Sequence, residues 1–205
     1  MGKIEEKKKA KREALLASAF TLFTEKGTNR TSISEIVENA GVAKGTFYLY
    51  FKDKYDLRNK LIAYKSGVII GKATQSMRKK AFADFTQEIL FLVDHIIRQF
   101  QTDLSLLEFI SKNLSWEILK NALLTETLEG GVDFRQMYLN MIGRSKLHFE
   151  RPDIMLYLIV EVVNAVCYNT ILYKNPVDIE TMKPYLYNTI AGIIKNHSEK
   201  KKLTL

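Results

Sequence analysis

Cysteine is nearly missing from this 205-residue chain: the single Cys167 excludes an internal disulfide and suits a reducing compartment. Proline and glycine are also scarce, at three and ten residues. That leaves little material for sheet turns or long loops, so the chain is predicted to be nearly all helix. The three histidines, His95, His148 and His197, lie far apart and show no metal-ligand spacing. His148 does fall near Glu150 and Asp153, a grouping that reads as a charged turn. No Gly-rich phosphate loop and no nucleophile motif is found. The expectation is a protein that is not an enzyme and has neither cofactor nor metal. The charged start lacks the apolar stretch of a signal peptide, and no apolar run approaches the length of a membrane span. A soluble, cytoplasmic chain without a membrane partner is expected.

What the chain does have is positive charge in one place. The net charge is +8. Through Lys65 there are 14 Lys and Arg against 8 Asp and Glu, and beyond it 17 against 15. Most of the surplus therefore lies in the first third, the footprint of a surface that neutralises phosphates. Within it, Lys7–Lys8–Lys9 and Lys11–Arg12 have two readings: an arm or extra turn following a DNA backbone, or a solvated start.

The stretch from Thr31 to Lys54, TSISEIVENAGVAKGTFYLYFKDK, is the most informative. Ser32 with Glu35 forms a capping box, and Ile33, Ile36, Val37 and Ala40 mark one buried face. Gly41 stops the helix after about two turns, and Val42 plugs the angle to a second short helix from about Lys44 to Phe51. Phe47, Tyr50 and Phe51 would face inward, leaving Lys44, Gly45, Thr46, Tyr48, Leu49 and Lys52 outward. Asp53 then caps the next helix, with Asp56 at its N3 position. Two short helices around a glycine turn make a helix-turn-helix, whose second helix enters the major groove. Gly45 lets a duplex approach closely. Thr46 and Tyr48 offer hydroxyls to phosphate, and Lys44 reaches a base edge or phosphate. Thr31 and Ser32 lie at a helix N-terminus that favours an anion, and Lys52 and Lys54 where the duplex backbone would pass. The candidate DNA-contact residues are thus Thr31, Ser32, Lys44, Gly45, Thr46, Tyr48, Leu49, Tyr50, Lys52 and Lys54.

These residues resemble the DNA-binding domain of the TetR family of transcriptional regulators. The family pattern runs approximately T-x-x-x-x-I-A-x-x-A-G-V-S-x-G-T-h-Y-x-H/Y-F-x-x-K-x-x-L, with h apolar. Thr31, Ile36, Ala40, Gly41, Val42, Gly45, Thr46, Phe47, Tyr48, Tyr50, Phe51, Lys54 and Leu57 match it. Val37 replaces the usual Ala, and Ala43 the usual Ser or Thr, so no DNA contact is carried over to position 43. The motif covers the first third of the chain. It implies an all-α fold, with an N-terminal three-helix DNA-binding domain over 1–53, continuing into the fourth helix to about 70. Residues 54–205 would form a helical regulatory and dimerisation domain. The implied function is a repressor that binds a double-stranded palindromic operator and is released by a small apolar or amphipathic effector. Two alternatives are an effector-independent DNA binder acting through protein partners, and a helical interaction protein or enzyme that only imitates a DNA reader.

Elsewhere the punctuation predicts helices from about Ile4 to Lys26, from Lys54 to about Lys79, and after the Asp84 cap. One broken or two short helices should run from Leu104 to about Glu129, stopped by Gly130–Gly131. Further helices are expected from about Phe134 to Lys146, from Pro152 to about Lys174, and from Asp178 to about His197, the last bent or delayed by Pro184. The last two are apolar nearly all round, which calls for cover on more than one side. A second copy would provide it as a two-fold four-helix interface, and a buried pair inside a monomer is the other reading. Phe109, Trp116, Phe134, Met137, Tyr138 and Met141 are candidates to line an adaptable ligand pocket, or else fill a core. Tyr157, Glu161, Asn164 and Tyr168 form one stripe. It either brings Glu161 and Asn164 to that pocket or is the wet side of its helix.

Overall fold

The computed structural model describes residues 2–78, 80–118, 120 and 133–200. The chain divides into two compact units, Met1–Tyr64 and Lys65–Leu205. The division falls inside the fourth helix, past the Asp53 cap. In the first unit, α1 (Lys3–Lys26), α2 (Ile33–Asn39) and α3 (Lys44–Tyr48) precede α4 (Lys54–Met77). The core of this unit is Leu15, Leu16, Ala19, Phe23, Ile36, Val37, Phe47, Phe51, Leu57 and Leu61. The buried Ser18 hydroxyl donates to the Ile36 carbonyl at 2.8 Å, so its polar group is satisfied where α2 crosses α1.

The second unit contains the remainder of α4, then α5 (Phe85–Thr102), α6 (Leu104–Asn113) and α7 (Phe134–Arg144). A two-residue strand β1 (Leu147–His148) precedes α8 (Pro152–Leu172) and α9 (Ile179–Asn196), and β2 (Glu199–Lys200) pairs antiparallel with β1. This small ladder was not expected from a sequence that reads as helix throughout. Asp84, Asp103, Asp133 and Asp178 each cap a helix, accepting the backbone N–H three residues on. The part of the predicted 104–129 helix beyond Lys120, with its Gly130–Gly131 stop, lies outside the described residues.

Pro184 does not break α9, which runs through it. The proline removes only the hydrogen bond to the Glu180 carbonyl, and both residues are exposed, so water can serve that oxygen. A polar network joins α9 to α5. The Tyr187 hydroxyl donates to Asp94 at 2.8 Å, while Arg98 and Lys183 approach the same carboxylate at 2.7 and 3.7 Å. α8 is long and apolar enough to cross a membrane by composition, with a mean hydropathy of 1.7 over its most apolar window. Only 33% of that window is buried. Ile154 and Tyr157 remain open on α8, Tyr173 just past its end, and Tyr185 on α9.

Candidate nucleic-acid interface and ligand cavity

The turn between α2 and α3 is fixed at both ends by backbone chemistry. At the start of α2, Ser32 Oγ accepts from the Glu35 N–H at 3.2 Å and Glu35 accepts from the Ser32 N–H at 2.8 Å, a complete capping box. Glu35 also pairs with Lys26 of α1. The Lys26 ammonium, then the Ser32 N–H and hydroxyl, hold its carboxyl down at about 2. At the far end, Gly41 takes φ +65°, Val42 N–H donates to the Val37 carbonyl at 3.0 Å, and Gly41 N–H to the Glu38 carbonyl at 3.1 Å. This is a Schellman stop, and it needs a residue without a side-chain penalty at positive φ.

α3 ends at Tyr48, three residues before the expected Phe51. The Tyr50 and Phe51 N–H groups both donate to the Phe47 carbonyl at 3.0 Å, tightening the last turn. Phe47 and Phe51, with ring centroids 5.6 Å apart, are 0% and 2% exposed and anchor the helix from below. Tyr50 is half-buried, and its hydroxyl donates to the Lys8 carbonyl of α1 at 3.1 Å. Asp53 caps α4 by accepting from Tyr55 and Asp56 N–H at 2.8 Å, while Asp56 answers to the Lys52 N–H at 2.9 Å.

This anchoring leaves one face of α3 open. Lys44, Gly45, Tyr48, Leu49 and Lys52 are exposed, and Thr46 is half-buried. Leu49 is 78% and Tyr48 54% exposed, apolar surface the unit's own core does not use. A Cβ at Gly45 would meet nothing within 4 Å, and its φ is not positive. The fold therefore gives no reason for glycine in a helix, where it costs roughly 0.5–1 kcal/mol against alanine.

Two expected contacts differ. Thr31 is only 1% exposed, and its hydroxyl donates to the Gly27 carbonyl at 2.9 Å, so its side chain supports the turn between α1 and α2 and cannot reach a phosphate. Lys54 Nζ donates to the Asn29 and Thr31 carbonyls, both at 3.0 Å, which uses two of its three donors within the same turn. Ser32 is exposed, but its hydroxyl is engaged by Glu35. The Lys26–Glu35 pair escaped the sequence reading because the two residues belong to different helices and no local spacing links them.

In the second unit a cavity of 130 Å³ lies among α4, α5, α6, α7 and α8. Its walls are Ile69, Ile70, Ala73, Ile89, Leu92, Val93, Ile96, Phe100, Ile110, Leu114, Phe134, Leu156, Ile159, Val160 and Val163, with Ser66 and Asn164 as the polar members. Asn164 accepts from the Ser111 hydroxyl at 2.8 Å. Of the eight expected pocket residues, only Phe134 and Asn164 line this cavity. Phe109 is buried in the core, and Tyr138 is buried with its hydroxyl donating to the Pro152 carbonyl at 2.8 Å. Trp116 packs edge-on against Tyr157 at 5.0 Å, and Glu161 is exposed. Met137 and Met141 line a separate, more polar cleft with Arg78, Glu88 and Arg144. The cavity wall is mostly aliphatic, with Phe100 and Phe134 its aromatic members.

Residues 15–61, which hold the capped helix-turn-helix and its open face, match the family model for bacterial regulatory proteins, tetR family. The chain carries a TetR-family DNA-binding domain. The fatty acid metabolism regulator protein of Bacillus subtilis (strain 168) is 36% identical over 76 residues, which are 37% of this chain and 39% of that protein. The uncharacterized HTH-type transcriptional regulator YerO of the same organism is 29% identical over 157 residues, 67% of this chain and 54% of that one. The matches to these TetR-family relatives thus span less than two thirds of their length. The fold of the whole chain is shared with a regulator attributed to the same family from Shewanella sp. PV-4. That likeness has a TM-score of 0.67 at 16% identity and covers 93% of this chain and 99% of that one. It is also shared with FadR from Bacillus subtilis in complex with stearoyl-CoA, with a TM-score of 0.54 at 18% identity over 87% of this chain and 96% of that one.

Proposed function

We propose that this TetR-family chain is a cytoplasmic transcriptional repressor and not an enzyme. It binds a palindromic operator as a homodimer and is released when an apolar or amphipathic ligand enters the second unit. The observation that carries the reading is the open face of α3. Lys44 and Lys52 supply charge for phosphate, Gly45 supplies clearance, and Tyr48 and Leu49 supply apolar surface for thymine methyl groups. Thr46, Tyr50 and the Ser32 end of α2 border that face.

The incompletely covered α8 supports the dimer. A helix this apolar with a third of its window buried calls for a second surface, and the same α8–α9 pair of another copy supplies one. A two-fold dimer would present two α3 helices about one helical turn of DNA apart, roughly 34–36 Å. The aliphatic lining of the 130 Å³ cavity favours a hydrocarbon portion of the ligand, with Asn164 the polar point beside it. An apolar cavity of about 150 Å³ holds a benzene-sized group. A longer chain, such as the acyl group of a thioester like that held by the Bacillus subtilis relative, has to push the surrounding helices apart. That displacement is the differential contact a release mechanism requires. About 1.4 kcal/mol of preference for the expanded state weakens DNA binding tenfold.

Selecting bound duplexes from a random pool tests the proposal. Wild-type protein should enrich one palindrome, and Tyr48→Ala with Leu49→Ala should bind it at least about tenfold more weakly with unchanged helicity and oligomeric state. Failure of the wild type to enrich any sequence would remove the reading.

A further inference from the structure

The first turns of α1 carry a line of cations that the fold does not use. Lys3, Lys7 and Lys11 are spaced i, i+4, i+8 on one side of the helix, and all three are exposed. Among the described residues none of them has an ion-pair partner. Of the neighbouring acids, Glu5 pairs with Lys8 at 3.2 Å and Glu13 with Lys9 at 3.9 Å. Like charges four residues apart cost a helix about 0.2–0.5 kcal/mol per pair. In the isolated chain the line is therefore a liability.

Two contacts fix where it lies. Ser18, two turns beyond Lys11 on the same side, donates to the Ile36 carbonyl of α2, so the lysine edge continues into the side on which α2 rests. On the adjoining stripe the Lys8 carbonyl accepts from Tyr50, and the Arg12 guanidinium stands 6.0 Å from the centre of the Phe51 ring. The same turns of α1 are thus tied to the end of α3. The lysines stand on a helix whose first turns touch the end of α3.

We infer that Lys3, Lys7 and Lys11 bind the phosphate backbone of duplex DNA alongside the base pairs that α3 reads. The inference rests on the proposed DNA-binding function. From Lys3 to Lys11 the edge rises about 12 Å, and phosphates recur every 3.4 Å of axis along one strand, so three lysines can follow one strand. A polyanion turns their mutual repulsion into attraction. An anionic lipid surface would do so too, but membrane-lying helices pair their cations with an apolar face. These turns offer only Ile4 and the small Ala10, amid Glu5 and Glu6.

The test uses the full chain with Lys3→Gln, Lys7→Gln and Lys11→Gln together, beside wild type and a Lys8→Gln/Lys9→Gln control. Glutamine matches lysine in helix propensity, so α1 is retained. Affinity for the selected palindrome and for an arbitrary duplex is measured by fluorescence anisotropy from about 50 to 200 mM salt. Each phosphate contact contributes about 0.9 to the slope of log affinity against log salt, so the triple variant should lose up to about 2.7 per bound protomer. Both duplexes should weaken by a similar factor, because phosphate contacts carry no sequence information. An unchanged slope in the triple variant, or an equal loss in the control, overturns the inference while leaving α3's role intact. No enriched sequence with wild type removes the proposed function instead. If the triple substitution abolishes binding to phosphatidylglycerol vesicles but leaves the DNA slope unchanged, the edge faces a membrane and the inference fails.

Discussion

Replacing Lys54 by methionine separates two roles for one cation. The sequence pattern places Lys54 where a DNA backbone would pass, yet its ammonium holds the carbonyls of Asn29 and Thr31, both at 3.0 Å, from residues 25 and 23 positions earlier. These bonds close the turn that delivers α2 from α1. A hydrogen bond from a charged donor is worth about 1.5–3 kcal/mol. Lys54 is half-exposed, and the freed carbonyls can turn to water, so about 1 kcal/mol each is the appropriate scale. Methionine keeps most of the stem, so the charge and its two bonds are what is lost.

A loss of about 2 kcal/mol in a unit of this size lowers its midpoint by roughly 8–16 °C. The two units can be followed separately because the chain's one tryptophan, Trp116, lies in the second. Lys54→Met should bring forward the loss of helix seen by circular dichroism while Trp116 fluorescence melts as in wild type. Below that transition, the salt slope for duplex DNA should match wild type. An unchanged midpoint with a slope reduced by about 0.9 per protomer would show that Lys54 contacts phosphate and would refute the clamp.

The acid limb of stability should report Glu35. Its carboxyl is held at about 2, below its ordinary 4.5, so its contribution is fully present above pH 4.5 and is lost as pH falls towards 2. Glu35→Gln should lower the melting midpoint of the first unit near pH 7, and the gap to wild type should close between pH 4.5 and 2. A constant gap across that range would contradict the pairing with Lys26. Cys167 is buried, and burial pushes its thiol up to about 12. Iodoacetamide at pH 8 should leave the folded protein unlabelled and react only after denaturation; native labelling would contradict the burial.

Local punctuation made the first unit legible. Ser32 with Glu35, Gly41 and Asp53 each act within a few residues of themselves, so their roles can be read without knowing what packs where. The end of α3 was less legible, because a helix that closes with i→i+3 bonds looks the same in sequence as one that continues. The cavity was least legible. The sequence points to Phe109, Trp116, Met137, Tyr138 and Met141 because large adaptable side chains suit a pocket wall. In the fold such groups find partners: Phe85 meets Phe149 at 4.9 Å, and Phe134 stacks on Tyr138 at 6.1 Å. A void forms where stiff branched side chains from α4, α5 and α8 cannot close on one another. That depends on how distant helices cross, which no local spacing encodes.

The residues proposed to face DNA show the opposite logic. Thr31 and Leu49 both belong to the sequence motif or its flank, yet their structural accounts diverge. Thr31 is explained entirely within the chain, by burial and a bond to Gly27. Leu49 at 78% exposure, Gly45 with open space around it, and the Lys3–Lys7–Lys11 edge have no such account among the described residues. Each costs the isolated fold something small: exposed apolar surface, a glycine in a helix, or like-charge repulsion. They are gathered around one end of one unit, tied together by Tyr50 and Ser18. Small costs on a single surface, each relieved by a duplex with phosphates and thymine methyl groups, are a stronger argument for a binding face than the motif alone. The motif also contains residues, such as Thr31, whose buried side chains hold the turn before α2 in place.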